Sequence, residues 1–290
     1  MEPDCLVCGA HNARIFRRFR SDTFGAMREF EHRECRACTY IFVHPQPTPA
    51  DLQRLYSSPR YYELTETEAL LTDGSRERPD WKIHLYDSIL TRMHRAGCRE
   101  GKLLDVGCGW GLFLERATRF GFNSAGIELS AEVASYVRDR LHIEVSGVEL
   151  EKAPEKSYDA LTMMDVLEHV PDPRKFLGQA LKALRPGGWI AVNVPRAGGL
   201  TNDRIPRLLN RIRRRKENIF LQHLSEFRPK SLHNILARAG FTGISVQGLE
   251  NWRIRAHNSF PLNAFWLALS GTAVLTRTTS SILGIARRPL

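Results

Sequence analysis

The stretch Leu103-Leu104-Asp105-Val106-Gly107-Cys108-Gly109-Trp110-Gly111-Leu112 decides how the chain is read. A short apolar run feeds a glycine-rich loop, and an amphipathic period from Leu112 to Phe120 follows it. Glycines at a strand-to-helix junction let the backbone approach a ligand closely and aim helix N-terminal N–H groups at it. The spacing is G-x-G-x-G, with the third glycine one residue earlier than in the G-x-G-x-x-G of a dinucleotide loop. Glu128 ends the next apolar run 23 residues beyond Asp105, where a carboxylate accepts hydrogen bonds from both hydroxyls of a ribose.

Outward from this loop, short apolar runs alternate with helical periods. The runs are Leu103–Val106, Ser124–Glu128, Tyr158–Met163 and Trp189–Val194, and the helical stretches are Leu112–Phe120, Ala131–Leu141 and Arg174–Leu184. Strand, helix, strand, helix predicts an α/β fold with a parallel sheet covered on both faces. Gly187-Gly188 after Leu184-Arg185-Pro186 reads as a helix stop and a turn into the next strand. Residues 50–100 read as amphipathic helix, for example Ala50–Tyr56 and Trp81–Met93. Residues 1–48 are rich in cysteine and arginine and end in Pro45-Gln46-Pro47-Thr48-Pro49. The expected organisation is a metal-binding module at 1–48, a helical connector or lid at 49–100, and an α/β domain at 101–290 with a basic insertion around 201–222.

The loop and its surroundings resemble the first motif of class I S-adenosylmethionine-dependent methyltransferases. Asp159, Asp165-Val166-Leu167-Glu168-His169-Val170-Pro171-Asp172-Pro173 and Leu184–Pro195 resemble the later motifs in the right order, as do His223–Pro229 and Leu236–Phe241. The resemblance covers about 101–250, and Ile282–Arg288 is similar to the last strand of that fold. It implies a Rossmann-like sheet of seven strands whose last strand is antiparallel. It places the methionine end of S-adenosylmethionine on Asp105, Gly107 and Gly109 and the ribose on Glu128, with Gly111 and Asp165 in the expected set. The family often sets an acid after the glycine that follows the third strand, to receive the adenine amino group. Here that stretch is Gly147-Val148-Glu149, so either Glu149 or backbone takes that part.

Cys5-x2-Cys8 and Cys35-x2-Cys38 form two knuckles, the first followed by Gly9. Four thiolates from two tight turns suit tetrahedral zinc, and a closed four-cysteine site has no open position, so its expected role is structural. The 26 residues between the knuckles call for a long hairpin. The segment also resembles, more loosely, the zinc-binding front of bacterial sugar methyltransferases, with Pro45-Gln46-Pro47 and Tyr61-Tyr62 after the cysteines. Of the remaining thiols, Cys98 and Cys108, the second sits in the glycine loop and is read as packing.

Alignment of the acceptor with an already activated methyl leaves a proton to be handled. His is the default base near neutral pH, and His169 and His223 are the candidates, with Glu168 and Glu226 to orient them. The expected reaction is methylation of a sugar hydroxyl in glycan or natural-product assembly. Carbon methylation of a sugar and methylation of RNA are the alternatives. No Asn-Pro-Pro-Tyr motif follows the fourth strand, where Met164-Asp165-Val166-Leu167 stands instead, and this weighs against a base nitrogen.

Composition sets the outer limits. Of 290 residues 42% are hydrophobic and 26% charged, which excludes wholesale disorder. Residues 201–290 hold 15 Lys/Arg against four Asp/Glu, a net of +11, so the first 200 residues are almost neutral. Arg204–Lys216 alone has seven basic residues in thirteen. It reads as a solvated helix face, or as a grip on a phosphorylated or lipid-linked acceptor or an anionic membrane surface, with Phe260–Leu269 as an interfacial helix beside it. Aromatic interleaving is lacking there, so nucleic acid is not an expected partner. The first residues lack a basic stretch before an apolar core, and the longest apolar run, Phe260–Leu275, is 16 residues broken by Asn263, Ser270 and Thr272. Roughly 20 residues are needed to span a bilayer, so a cytoplasmic, at most membrane-peripheral, protein is expected.

Overall fold

The computed structural model describes residues 4–56, 80–199, 221–249 and 279–290, together with residue 272. Tyr61-Tyr62, the basic run 204–216 and the apolar run 260–269 lie outside the described residues.

Seven strands form the main sheet: β4 (Gly101–Val106), β5 (Phe122–Ile127), β6 (Glu144–Ser146), β7 (Tyr158–Met164), β8 (Leu184–Pro195), β10 (Thr242–Leu249) and β11 (Ser281–Arg287). Their spatial order is β10-β11-β8-β7-β4-β5-β6. The central pairings are parallel, and β11 runs antiparallel between β8 and β10. The chain leaves β4 toward β5 and β6, then returns to the other side of β4 as β7. The crevice outside the carboxyl end of β4 is therefore a topological switch point, where open α/β sheets bind their ligands. Strand interiors such as Leu103, Leu104, Leu161, Met163, Ile190 and Val192 are fully buried, which is the continuous apolar pattern of a sheet covered on both faces.

Helices α2 (Asp80–Ala96), α3 (Leu112–Arg119), α4 (Ala131–Leu141), α5 (Pro173–Ala183) and α6 (Pro229–Arg238) accompany the sheet. Their starts follow local chemistry. The Ser130 side chain accepts the Val133 N–H and opens α4, and the Asp172 side chain accepts the Lys175 N–H ahead of Pro173, which opens α5. The helix stops where the sequence places its end: α5 closes at Ala183, and Leu184-Arg185-Pro186-Gly187-Gly188 enters β8 through an irregular stretch, with Gly187 at φ 74° and the register against β7 shifting between Leu184 and Trp189. The carboxyl end of the chain captures this segment: Gly187 donates to Arg288 and Arg288 donates back to Gly188 at 2.8 Å.

The N-terminal segment folds as an antiparallel meander of β1 (Ala13–Ser21), β2 (Arg28–Cys35) and β3 (Ile41–His44), followed by α1 (Pro49–Tyr56). Its fourth strand, β9 (Ser225–Glu226), comes from far along the chain and pairs antiparallel with β3. The cysteine knuckles, Tyr40 and Phe42 share one buried cluster with β4, β7, β8 and α6. Arg228, at the start of α6, meets the buried Glu34 of β2 at 3.1 Å, and Arg14 holds the same carboxylate. Among the described residues no helix is long and apolar enough to cross a membrane.

Candidate active site

The glycine loop follows β4 directly. Its first two N–H groups, on Gly107 and Cys108, donate to the Ile127 carbonyl at 2.8 and 3.0 Å, which ties the loop to the end of β5. Gly107, Gly109 and Gly111 all have positive φ. A Cβ on Gly107 would lie 2.7 Å from the Val166 side chain, and one on Gly111 would lie 2.7 Å from Leu141. Side chains there would fill the cradle and strain the backbone, so both positions require glycine. Cys108 packs inward, as expected: a Cβ on Gly126 of β5 would lie 2.7 Å from its Sγ. Glu128 sits beside this loop, its two carboxylate oxygens accepting the Gly109 N–H at 3.0 Å and the Ser130 N–H at 2.9 Å.

Asp105, the last but one residue of β4, is 1% exposed and accepts a 2.6 Å hydrogen bond from the Thr162 hydroxyl on the neighbouring β7. Burial pushes its carboxyl up to about 7; the Thr162 bond opposes that rise and the Glu128 charge adds to it. Asp165 follows β7 with φ 58°, a left-handed conformation that a non-glycine residue holds only when its surroundings impose it. Asn193 of β8 imposes it: the Asp165 N–H donates to the Asn193 carbonyl, and the Asn193 side-chain amide donates to the Asp165 carboxylate, each at 2.9 Å. Tyr86 of α2 is buried edge-on against Phe113, and the charges of Asp165 and Asp105 join burial in raising its hydroxyl pKa. Glu149 is exposed at the start of a short 3₁₀ turn after β6.

A second cluster stands just beyond Asp165. Leu167–His169 is a single 3₁₀ turn, and it brings Glu168 and His169 against the segment that leads into β9. The Leu224 N–H donates to the Glu168 carbonyl at 2.8 Å. His169 Nδ1 lies 2.9 Å from the Gln222 carbonyl oxygen, so that nitrogen carries the proton and donates. The His169 and His223 rings meet edge to face at 4.8 Å. Burial holds both imidazoles well below their ordinary pKa, at about 4 for His169 and about 3 for His223, so both are neutral at pH 7. The two histidines offered as alternative candidates for the base stand side by side. Glu226 lies 3.5 Å from His32 of β2.

The four module cysteines also converge. Cys5 Sγ is 3.5 Å from Cys38 Sγ and Cys8 Sγ is 3.5 Å from Cys35 Sγ, and all four sulfurs lie within 4.8 Å of one another. Zinc with bonds of about 2.3 Å holds its sulfurs roughly 3.8 Å apart, so the donor set and its span fit that ion. Each knuckle closes through a residue with positive φ, Gly9 in one and Thr39 in the other. The Gly9 N–H donates to the Cys5 carbonyl, and the Thr39 N–H to the Cys35 carbonyl.

The loop, the acid after β5 and the strand order define a class of protein, and comparison with known sequences agrees. A family model described as a methyltransferase domain matches residues 77–246. A ubiquinone biosynthesis O-methyltransferase of Xanthomonas euvesicatoria is 32% identical over 200 residues, which cover 62% of this chain and 78% of that one. One from Hydrogenovibrio crunogenus is 38% identical over 96 residues, 30% of this chain, and the match spans only 40% of that relative's length. Two solved structures share the fold at low identity. A chain from the complex of the Haloferax volcanii Trm112 methyltransferase activator with a methyltransferase has a TM-score of 0.58 at 17% identity, over 79% of this chain and 96% of that one. An S-adenosylmethionine-dependent methyltransferase of Thermotoga maritima has a TM-score of 0.52 at 15% identity, with the same coverages. The chain belongs to the methyltransferase-domain family, and it is an S-adenosylmethionine-dependent methyltransferase.

Sequence reasoning located the loop, Glu128, the two histidines and the four cysteines. It missed Thr162, Asn193 and Gln222, which reach the site through strand register and a long-range carbonyl. No local motif signals any of them.

Proposed function

We propose that this enzyme transfers the methyl of S-adenosylmethionine to a hydroxyl oxygen of a small-molecule or glycan acceptor. The bound cofactor supplies a methyl already activated on sulfonium sulfur. Gly107, Gly109 and Gly111 give its methionine end a backbone cradle without side chains. Asp105 sits beneath that cradle, and Asp165 stands at the neighbouring strand end. Glu128 turns its carboxylate to the ribose hydroxyls, exchanging backbone donors for hydroxyl donors, while Glu149 lies beyond β6 on the side assigned to adenine. His169 and His223 handle the acceptor's proton, each neutral and holding a lone pair. The observation that carries this reading is their convergence with Glu168 immediately past Asp165, at the same strand edge as the glycine loop. The kinship with O-methyltransferases supports oxygen as the acceptor atom.

Zinc on Cys5, Cys8, Cys35 and Cys38 is part of the same proposal, in a structural role. The resemblance of the cysteine front to sugar methyltransferases supports a sugar hydroxyl. The curated relatives are named for ubiquinone biosynthesis, which supports a hydroxyl in that pathway instead. The basic run 204–216, outside the described residues, is assigned to an anionic or lipid-borne acceptor. An acceptor panel tests the reading: purified enzyme is offered glycan and quinone-precursor hydroxyls, and S-adenosylhomocysteine release is followed. Replacing both His169 and His223 by Ala should abolish turnover while calorimetry shows intact S-adenosylhomocysteine binding. Near-normal turnover in that double variant refutes the assignment of the histidines.

A further inference from the structure

Among the described residues no hydrogen bond holds the His223 ring, which rests edge to face on His169 at 4.8 Å. The ring therefore takes its place from the backbone that carries it, residues 221–225, and that backbone is clamped from two sides. On the sheet side, the Leu224 N–H donates to the Glu168 carbonyl at 2.8 Å, and His169 Nδ1 donates to the Gln222 carbonyl at 2.9 Å. On the module side, the Leu221 N–H donates to Thr23 Oγ1 at 2.7 Å, and the Val43 N–H donates to the Leu224 carbonyl at 3.0 Å. The last tie is made by side chains: the Tyr40 and Ser225 hydroxyls share a 2.5 Å hydrogen bond. Both residues are buried, Tyr40 completely. Burial holds the Tyr40 hydroxyl far above its ordinary pKa, so it keeps its proton. Its ring is stacked on Phe42 at 5.8 Å and tilted against Phe227 at 5.4 Å, and its carbonyl accepts the Cys35 N–H at 2.8 Å in the second cysteine knuckle. Ring and backbone are thus fixed by the core and the knuckle, and the hydroxyl is a fixed point against which Ser225 is set. A buried hydroxyl without a partner is costly, so one arrangement of the pair is strongly preferred.

We infer that Tyr40, a residue of the cysteine module, is a positioning residue for methyl transfer: through Ser225 it sets where the His223 imidazole meets the acceptor hydroxyl. The inference rests on the proton-handling role proposed above for the histidines, and it names what aims one of them. Ser225 is two residues beyond His223, close enough for a shift in one to move the other. A proton acceptor must lie within about 2.6–3.2 Å of the hydroxyl it serves, and a misplacement of about 1 Å costs on the order of 100-fold in rate. The glycine loop and Glu128 follow β4 and β5, outside this chain of contacts, so cofactor binding does not depend on it. The module then belongs to the acceptor side of the site and is more than a stabilising appendage.

Tyr40→Phe tests this in the full chain, because it removes the hydroxyl and keeps the ring. With the hydroxyl acceptor that gives the highest turnover in the panel, kcat should fall by roughly tenfold or more. S-adenosylhomocysteine affinity, read by calorimetry, should stay at the wild-type value. Ser225→Ala should reproduce the loss, and the Tyr40→Phe/Ser225→Ala double variant should be no slower than either single one, since all three lack the same bond. A readout that needs no acceptor is amide hydrogen exchange: Leu221 and Leu224 should exchange faster in Tyr40→Phe, with the amides of β4 and β5 unchanged. Wild-type kcat in Tyr40→Phe overturns the inference, and so do losses that multiply in the double variant. Parallel loss of kcat and S-adenosylhomocysteine affinity overturns it too, because a merely structural tyrosine would lower both. His223→Asn separates the inference from the reading beneath it. A slow His223→Asn beside a full-speed Tyr40→Phe removes the positioning role alone, whereas a full-speed His223→Asn removes His223 from proton transfer and the inference with it.

Discussion

In the proposed binding mode Asp105 lies beneath a cofactor that carries positive charge, and burial raises its carboxyl to about 7. The sign of the resulting pH dependence follows from proton linkage. Below about 7 the group is protonated in the free enzyme, and a cationic cofactor must expel that proton to gain the charge. Affinity for S-adenosylmethionine should therefore climb as pH rises toward 7, by at most about tenfold per unit, and level off above it. The stability of the folded chain should run the other way, falling as pH rises from about 4 to about 7, because ionising a buried carboxylate costs stability that its protonated form does not. Calorimetry across pH 5.5–8.5, in two buffers of different ionisation enthalpy, checks the proton release; a flat profile would remove Asp105 from contact with the cofactor's charge (the pH range is roughly one and a half units either side of that pKa). Glu128 gives a sharper expectation. Each charge-assisted hydrogen bond contributes about 1.5–3 kcal/mol, so Glu128→Ala should weaken S-adenosylhomocysteine binding on the order of 100-fold. The Gly109 and Ser130 N–H groups also lose their acceptor in that variant. Wild-type affinity would refute the role.

At the scale of elements, the sequence exposed what is locally encoded and hid what depends on pairing. The glycine loop was legible because strand, glycines and helix are contiguous, and α4 and α5 were legible from the helical periods of Ala131–Leu141 and Arg174–Leu184. Gly187-Gly188 marked the helix stop and the turn, but the bonds that tie this turn to Arg288 at the far end of the chain had no local signal. Glu226 misled for a different reason. It looked like a companion of His223 three residues off, but β9 pairs it with Ile41 and sets its carboxylate 3.5 Å from His32. The same pairing gives the four-cysteine site a reach beyond its own module. β3 hydrogen-bonds the segment that carries His223, Tyr40 bonds to Ser225, and the Leu221 N–H donates to Thr23 Oγ1 at 2.7 Å. Purified protein should contain one zinc on Cys5, Cys8, Cys35 and Cys38. Replacing all four by Ser should lower kcat by loosening His223, while S-adenosylhomocysteine affinity, which rests on β4 and β5, stays within a few-fold. Equal loss of both would show that the metal supports the whole fold and not the histidine face alone.

Across the whole molecule, charge is divided: a nearly neutral first 200 residues and a C-terminal third at +11. Exposed charge acts over about 8 Å at physiological ionic strength, so a basic run that grips an anionic acceptor should lose its effect as salt rises. Arg213→Gln, Arg214→Gln and Arg215→Gln together should raise acceptor KM, leave cofactor affinity alone and reduce binding to anionic liposomes. Unchanged KM and unchanged liposome binding would make 204–216 a solvated face. The central claim, however, concerns the atom that receives the methyl. The most direct test supplies S-adenosylmethionine carrying a ¹³C-labelled methyl together with the acceptor that the panel identifies, and reads the product by NMR. The account predicts one labelled methyl on a hydroxyl oxygen for each S-adenosylhomocysteine released; label on nitrogen or carbon would contradict it.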